Sequence, residues 1–334
     1  MTYLPFILAL GLLLCGCAET SHEPAPVPPT DYPDCAKLPS GRVDAHAPTV
    51  HVPDWSDPVR VGSGINTSCP EDAIEISADG QTLYFFFSQD LLDSLNPAQM
   101  LAFPNGTWRA RRNGGPGDFA LPECYDLGQG TEASLDGEPS FSPDGGRVYF
   151  HSLRAENTGY QLDPPEDDIL DVYVAEIAGG VPGPGVNLGP PVNSPYKDGE
   201  QAIHPDGVSL YFASTRPGGL GGADLWVSVL SGEAWSEPLN LGVPVNSPAD
   251  DLQPAFTAAG DTVYFASSRD PQAGVAIYRS ARLGASWSDP ELVISGLAGE
   301  PSLTADGQYL YFVHVLSDAA GLFDADVWYC ERGE

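Results

Sequence analysis

The sequence predicts an all-β protein, a five-bladed β-propeller of four-stranded antiparallel blades that is closed by an N-terminal outer strand. Two observations carry this prediction: a turn followed by a Leu/Val-Tyr-Phe strand recurs five times, and the spacing of the turns suits one blade per repeat. The composition agrees, because 37 Gly and 33 Pro among 334 residues indicate many turns and few long helices.

Each repeat is centred on a turn glycine, and successive turn glycines lie 47 to 65 residues apart: Gly80, Gly145, Gly207, Gly260 and Gly307. Glycine suits such a turn because it accepts backbone angles that other residues resist. An apolar residue before the turn belongs to a first strand, and the Tyr-Phe segment after it forms the second. A sheet this short cannot bury both faces alone, so neighbouring units must stack, and a ring leaves short edges.

The two ends of the chain are predicted to complete one blade together. The last repeat stops at Cys330 after its third strand, without an outer strand of its own. Trp55-Ser56-Asp57-Pro58 aligns without gaps with Trp235-Ser236-Glu237-Pro238, which lies in an outer strand. We therefore expect residues 55–62 to pair beside residues 327–330, which removes an exposed sheet edge.

The beginning of the chain has the features of an export signal. Residues 4–17 form an almost unbroken apolar run, too short to span a bilayer but typical of a secretion signal. Leu14-Cys15-Gly16-Cys17 resembles the lipobox of bacterial lipoproteins, which implies cleavage before Cys17 and acylation of its thiol; ordinary secretion is the alternative. We expect a signal peptide at 1–17, a Pro-rich tether at 18–50 and the propeller at 51–334.

Export sets the expectations for the remaining cysteines. In an oxidising compartment Cys35, Cys69, Cys124 and Cys330 suit two disulfides, with three connectivities open. Cys35–Cys330 with Cys69–Cys124 is preferred, since ring closure brings residue 330 beside the N-terminal segment. No cysteine stands in a CxxC or Cys/His ligand spacing, so neither a metal site nor another cofactor is predicted.

The charge of the chain excludes one large class of partner. Fourteen Lys and Arg stand against 46 Asp and Glu, a formal net charge of −32. Such a surface repels phosphate backbones and anionic headgroups, which excludes nucleic-acid binding and leaves the lipid anchor as the membrane contact. We expect a monomer.

The repeat also resembles a known family. Ser142-Pro143-Asp144-Gly145 before Val148-Tyr149-Phe150, together with the downstream Asp224-Leu225-Trp226, resembles the WD-like β-propeller repeat of the TolB type, and the resemblance covers about residues 54–330. It implies a propeller in the bacterial envelope that engages proteins or wall-associated partners. We therefore expect a non-enzymatic binding or scaffolding lipoprotein, anchored at the outer membrane and facing the periplasm or the cell surface.

A propeller glycosidase that acts on envelope or extracellular polysaccharide is the alternative. Glu138, Glu200 and Glu300 begin the first strand of three repeats, and five-bladed arabinanase-like glycosidases hold their acids and bases at the propeller mouth. Such enzymes need two carboxyl groups in unlike environments. A residue that obeys the repeat is instead expected to be structural.

Three arginines suggest a structural partner for these glutamates. Arg154, Arg216 and Arg269 each follow their turn glycine by nine residues. Pairing each Arg with the glutamate position of the next repeat matches compatible residues throughout. We therefore predict ion pairs between neighbouring blades, Arg154 with Glu200 and Arg269 with Glu300.

Residues that break the repeat are better candidates for ligand binding. Glu75, His204 and His314 each replace a small residue found in the other repeats. A second candidate lies in the enlarged loop 155–170, where Asp167 and Asp168 could offer hard oxygen ligands to Ca²⁺. Structural roles for the two histidines and a solvated loop are the alternatives.

Overall fold

The computed structural model describes residues 43–62, 64–67, 69–88, 105–127, 135–154, 156–159 and 170–333. These residues form five antiparallel sheets arranged as the blades of a propeller, so the predicted fold is confirmed. In the part of the chain so described, no helix is long and apolar enough to cross a membrane.

The strands follow one another from the channel outward in each blade. Two short strands, β1 (Thr49–Val50) and β2 (Val59–Arg60), precede the first blade. Blade 1 contains β3 (Glu71–Ile76), β4 (Thr82–Ser88), β5 (Asn105–Arg111) and β6 (Glu123–Cys124). Blade 2 contains β7 (Leu135–Phe141), β8 (Arg147–Leu153), β9 (Asp171–Ala178) and an outer strand in two pieces, β10 (Val181–Pro182) and β11 (Val186–Asn187).

The other three blades repeat this order. Blade 3 contains β12 (Asp198–Ile203), β13 (Ser209–Ser214), β14 (Asp224–Ser231), β15 (Ala234–Trp235) and β16 (Leu239–Asn240). Blade 4 contains β17 (Asp251–Phe256), β18 (Thr262–Ser267), β19 (Ala276–Leu283), β20 (Ser286–Trp287) and β21 (Glu291–Ser295). Blade 5 contains β22 (Ala298–Leu303), β23 (Tyr309–Asp318) and β24 (Gly321–Glu331).

The ring closes as the sequence predicts. Strand β2 is the outer strand of blade 5, with Val59 opposite Tyr329 in β24. Trp55 forms an isolated bridge with Arg332 just beyond. Because the outer strand of the closing blade comes from the N-terminal side of blade 1, the two ends of the described chain are held in one sheet.

The folded body begins earlier than predicted. Strand β1 pairs with β21 at the edge of blade 4, with Val50 opposite Ile294. The tether therefore ends before residue 50, because residues 49 and 50 complete a sheet edge. The signal peptide at 1–17, the lipidation candidate Cys17, the remainder of the tether to residue 42, and Cys35 lie outside the described residues.

The core lies between the blades. The Phe of every Tyr-Phe strand is fully buried, namely Phe85, Phe150, Phe212, Phe265 and Phe312. Each of these strands is the second of its blade, so its two faces are covered by the neighbouring sheets. At about 25 cal/mol for each Å² of buried apolar surface, these aromatic side chains are a major part of the stabilisation.

Among the described residues, buried asparagines join blades 2, 3 and 5 to the segment that enters the next blade. Asn246 donates through Nδ2 to the Leu225 carbonyl at 2.9 Å and accepts from the Leu225 N–H at 2.9 Å. Asn66 makes the same pair of bonds with Val327, at 3.0 and 2.8 Å, across the ring closure. Asn66 and Asn246 therefore have the same structural role at two different junctions between blades.

The predicted ion pairs between blades are wrong. Arg154 lies 2.9 Å from Asp136, and Arg269 lies 2.5 Å from Asp251, each within its own blade. The guanidinium groups fold back over aromatic rings of their own blade, as Arg269 does over Tyr278 at 4.9 Å. From there they reach the first residue or two of the inner strand, not the glutamate position farther along it.

One predicted disulfide is also wrong. Cys330 is a free thiol, fully buried in the cluster that includes Trp55 and Leu310, so it does not pair with Cys35. Cys69 and Cys124 are each disulfide-bonded, and Cys124 packs against the core cluster that contains Cys69. The pairing of these two with each other stays a prediction.

Candidate functional site

All five inner strands bulge at the same point, where they line the central channel. One extra residue interrupts the register of each first strand, for example between Gly137 and Ser140. The bulged residue has a positive φ of 50° to 55° in every blade: Ala73, Glu138, Glu200, Gln253 and Glu300. Non-glycine residues rarely adopt this conformation, and a bulge re-aims a side chain. Two of the repeated glutamates, Glu138 and Glu300, line the central channel.

A cavity of about 790 Å³ occupies the centre of the propeller. Residues of the turns between first and second strands line its mouth in all five blades, such as Ala78, Ser142, Pro205, Ala258 and Ala305. It therefore opens on the face where the inner strands end, not on the face where they begin. The cavity also extends between blades 1 and 2, beside Tyr84, Arg109, Arg111 and Tyr125.

The cavity has apolar walls and three carboxyl groups deeper than the turns. Ile74, Ile203, Phe256 and Leu303 belong to the wall. The carboxyl groups, which we call the acidic floor, are those of Glu75, Glu138 and Glu300. Among the described residues, no group of three or more His, Cys, Asp or Glu is arranged to hold a metal ion.

Glu75 is tied to the blade that precedes it around the ring. Its Oε2 accepts a hydrogen bond of 2.7 Å from the Ser302 hydroxyl of blade 5. Burial raises the pKa of Glu75 to about 8, although this hydrogen bond lowers it, and the charge of Glu138 adds to the rise. A neutral carboxyl group is therefore favoured here near neutral pH.

Glu138 pairs with a histidine of its own blade. Its Oε2 lies 3.3 Å from Nδ1 of His151, and both side chains are mostly buried. Burial raises the pKa of Glu138 to about 7, against the hydrogen bond and charge of His151. Burial opposes protonation of His151, but the hydrogen bond and charge of Glu138 outweigh it and raise the pKa of the imidazole.

Glu300 joins three blades. One carboxyl oxygen accepts from the Ile74 N–H of blade 1 at 3.2 Å, and the other accepts from the Gln253 amide of blade 4 at 3.2 Å. Burial raises the pKa of Glu300 well above its usual range, and the charge of Asp72 and a hydrogen bond with that carboxyl group add to the rise. Its contacts make Glu300 a structural bridge as well as a cavity residue.

Gln201 leaves an acceptor without a partner beside the floor. Its Nε2 donates to the Glu138 carbonyl at 2.5 Å, whereas its buried Oε1 has no hydrogen-bond partner among the described residues. The side chain lines the cavity, and the residue is 2% exposed. The neighbouring Glu200 instead pairs with Lys197 at 3.0 Å. A buried acceptor left unpaired is costly, so this oxygen favours a donor from a ligand.

The candidate ligand residues from the sequence fall in different places. Glu75 lines the cavity. His204 lies at a turn, where its ring nitrogens contact the Gly260 carbonyl at 3.0 Å and the Asp206 N–H at 3.1 Å. His314 is fully buried between the Gly296 carbonyl and Asp44, at 2.7 and 2.9 Å.

Neither of these histidines is therefore available to a ligand, because both nitrogens of each ring are occupied within the fold. Asp167 and Asp168 lie outside the described residues. His151 was missed, yet it also breaks the repeat, standing where Phe86, Ala213, Ala266 and Val313 stand. The rule that selected Glu75 would have found it if applied to this position.

Solved structures of several kinds superpose on the chain. An α-L-arabinofuranosidase from Lactobacillus brevis superposes with a TM-score of 0.52 at 14% identity, over 82% of this chain and 92% of that one. TolB from Acinetobacter baumannii gives a TM-score of 0.38 at 15% identity, over 75% of this chain and 53% of that one. An exo-β-1,3-galactanase from Clostridium thermocellum gives a TM-score of 0.48 at 12% identity, over 84% of this chain and 62% of that one.

At 14% identity, the superposition on the arabinofuranosidase shows a shared fold and nothing about activity. The chain spans about half the length of the Acinetobacter baumannii TolB that it matches. Neither a family model nor a curated protein sequence matches it. The function therefore has to be argued from the cavity.

Proposed function

We propose that this chain is a non-catalytic binding module of the cell envelope, whose central cavity receives a segment of an envelope protein or a peptidoglycan-associated partner. The observation that carries the proposal is the cavity of about 790 Å³, which opens on the turn face through residues of all five blades. A volume of this size is in the usual range for ligand pockets, which are mostly apolar with a few placed polar groups.

The environment of the carboxyl groups favours binding over glycoside hydrolysis. A pair of catalytic carboxyl groups needs one ionised member and one protonated member. Burial raises the pKa of Glu75, Glu138 and Glu300 alike, so the floor lacks the contrast that would separate an acid from a base. Glu300 is in addition committed to backbone and amide donors of two other blades.

The attachment to the envelope is part of the proposal. The lipobox-like Leu14-Cys15-Gly16-Cys17 supports a lipid anchor on Cys17, and the tether gives the propeller reach from the membrane. A Cys17→Ser variant would then fail to incorporate labelled palmitate and would leave the membrane fraction. Unchanged labelling would remove the anchor from the proposal.

Site-specific photo-crosslinking tests the cavity. A benzoylphenylalanine is placed at Ala258 or Ala305, both at the mouth, and at Leu239, which is 68% exposed on the outer strand of blade 3. In the cells that produce the protein, we expect both mouth positions to capture the same partner, identified by mass spectrometry, and Leu239 to miss it.

Equal capture at all three positions would contradict the proposal. So would hydrolysis of a polysaccharide by the purified chain, if Glu75→Gln or Glu138→Gln abolished it. That second result would establish the glycosidase alternative.

A further inference from the structure

At the acidic floor, hydrogen-bond acceptors and acidic groups outnumber the donors and cations that the fold places beside them. His151 lies beside Glu138, and Lys197 lies beside Glu200. The described contacts of Glu75 and Glu300 are instead with neutral donors or with another acid: a serine hydroxyl, a backbone N–H, an amide and the Asp72 carboxyl group. Gln201 adds a buried oxygen that has no donor among the described residues.

The basic groups near the cavity lie on its side, not at its floor. Arg109 and Arg111 line the wall formed by the third strand of blade 1. Arg109 is paired with Glu123 at 2.8 Å and lies over the Tyr125 ring at 4.8 Å, so its charge is already matched. The floor itself is left with an excess of acid.

We infer that the partner inserts a lysine or arginine side chain whose ammonium or guanidinium group binds the acidic floor. The inference rests on the proposed function, and it names the chemistry by which that cavity selects its partner. An ammonium group presents donors and no acceptor, which is what the Glu75 carboxyl group and the Gln201 Oε1 both require. A charge-assisted hydrogen bond is about twice as strong as a neutral one.

The walls and the overall charge agree with such a ligand. The aliphatic stem of a lysine packs well against apolar side chains such as Ile74 and Ile203, while its head continues to the floor. The net charge of −32 attracts basic partners at long range and raises the rate of encounter.

Binding of the cation must displace protons from the floor. The titratable groups that face Glu75 or line the same cavity are all relevant here: Asp72, Asp79, Glu138, Glu200 and Glu300 as carboxyl groups, Tyr84 and Tyr125 as phenols, and His151, Lys197, Arg109 and Arg111 as bases. Because burial raises the pKa of Glu75 to about 8, the amine competes with a proton at lower pH. Affinity for an amine is therefore expected to rise with pH.

Methyl NMR on the full protein tests this with small probes. The isoleucine methyl groups of Ile74, Ile76 and Ile203 line the cavity, whereas those of Ile277 and Ile294 lie in a core cluster elsewhere. n-Butylammonium and 1-butanol have stems of the same length and differ in charge. We expect saturable shifts of the three cavity methyl groups with n-butylammonium, and at least tenfold weaker binding of 1-butanol.

Two further comparisons connect the shifts to the floor. Glu75→Gln should weaken n-butylammonium binding at least tenfold, while Glu237→Gln, at an exposed position of blade 3, should leave it unchanged. Binding should also be at least tenfold weaker at pH 6 than at pH 8.5. The methyl spectrum of each variant reports in the same sample whether it is folded.

Equal shifts by 1-butanol, no loss in Glu75→Gln, or no shift of any cavity methyl group would overturn the inference. These outcomes are separable from failure of the proposed function. Crosslinking from Ala258 and Ala305 that persists without amine binding would leave the binding module standing and remove the cationic ligand. Amine binding without specific crosslinks would leave the cation site standing and remove the binding of a partner at the cavity mouth.

Discussion

The Arg269 guanidinium lies 2.5 Å from the Asp251 carboxylate at the start of the inner strand of its own blade. Arg216 and Asp198 repeat this contact in blade 3 at 2.6 Å. Both aspartates are fully buried, and each arginine also donates to backbone carbonyls of the segment that leads into its blade, as Arg269 does to Pro244 at 3.3 Å. The pair thus fixes where the inner strand begins.

Removal of Arg269 should destabilise the propeller strongly. Arg269→Ala leaves the Asp251 carboxylate buried without its counter-ion, which typically costs about 3–5 kcal/mol in the free energy of unfolding. Arg147→Ala is the control, because Arg147 and Glu176 are 46% and 74% exposed and such pairs contribute about 0–1 kcal/mol. Urea denaturation measures both, and similar costs for the two variants would contradict this role.

The asparagine that joins the chain ends should matter as much as its internal counterpart. Asn66→Ala removes two buried hydrogen bonds to Val327 and leaves its backbone groups unpaired, at a cost of about 2–3 kcal/mol. Asn246→Ala should cost a similar amount, since it loses the same bonds to Leu225.

Asn113→Ala, at an exposed position, serves as the matched control and should be nearly neutral. Thermal unfolding followed by circular dichroism distinguishes the three. A neutral Asn66→Ala would mean that ring closure depends on the strand pairing alone.

The repeat made the fold predictable from the sequence, and the alignment of Trp55 with Trp235 made the closing strand predictable as well. Both are properties of local pattern: turn glycines, apolar strands and their spacing. The ion pairs were not predictable in the same way. A bulge inserts one residue into each inner strand at Glu200 and Glu300, whereas the arginines contact the aspartates at the start of the inner strands.

The site was predictable in part, for a related reason. Departure from the repeat selects residues in unusual surroundings, and Glu75 is one of them. His204 and His314 also depart from it, but their partners, Gly260 and Asp44, come from other parts of the chain that no local pattern connects to them. Long-range contacts of this kind decide whether an unusual residue is free to bind.

The imidazole of His151 should titrate above an ordinary histidine because of Glu138. Burial lowers the pKa of the imidazole, but the hydrogen bond and charge of the carboxylate outweigh burial and raise this pKa above the ordinary value of 6.5. Glu138→Gln removes the charge, and burial should then lower the pKa of His151 instead. Histidine Cε1–H NMR titration of the native chain and of the Glu138→Gln variant measures this. If the His151 titration were unchanged in this variant, Glu138 would have no effect on the pKa of His151.

Peptide mapping without reduction should find Cys69 linked to Cys124 and Cys330 unlinked. Both bonded cysteines belong to or pack against one core cluster. Burial raises the pKa of the Cys330 thiol to about 12, so alkylation of that residue should require denaturation. A peptide that joins Cys330 to another cysteine would contradict the free thiol, and one that joins Cys69 to Cys35 would replace the predicted pair.

The carboxyl group of Glu75 should make the protein less stable as the pH rises. Burial raises its pKa to about 8 in the folded protein, against an ordinary value of 4.5, so between these values the folded state holds a proton that the unfolded state has lost. The stabilisation that this proton provides is then fully present below pH 4.5 and declines up to pH 8, by up to about 1.4 kcal/mol per pH unit.

Glu75→Gln keeps a neutral group at this position, so its stability should depend less steeply on pH than that of the native chain, whereas the curve of Glu237→Gln should run parallel to the native one. Urea denaturation at pH 5, 6, 7 and 8 gives the three curves, and a Glu75→Gln curve parallel to the native one would show that this carboxyl group is ionised in the fold.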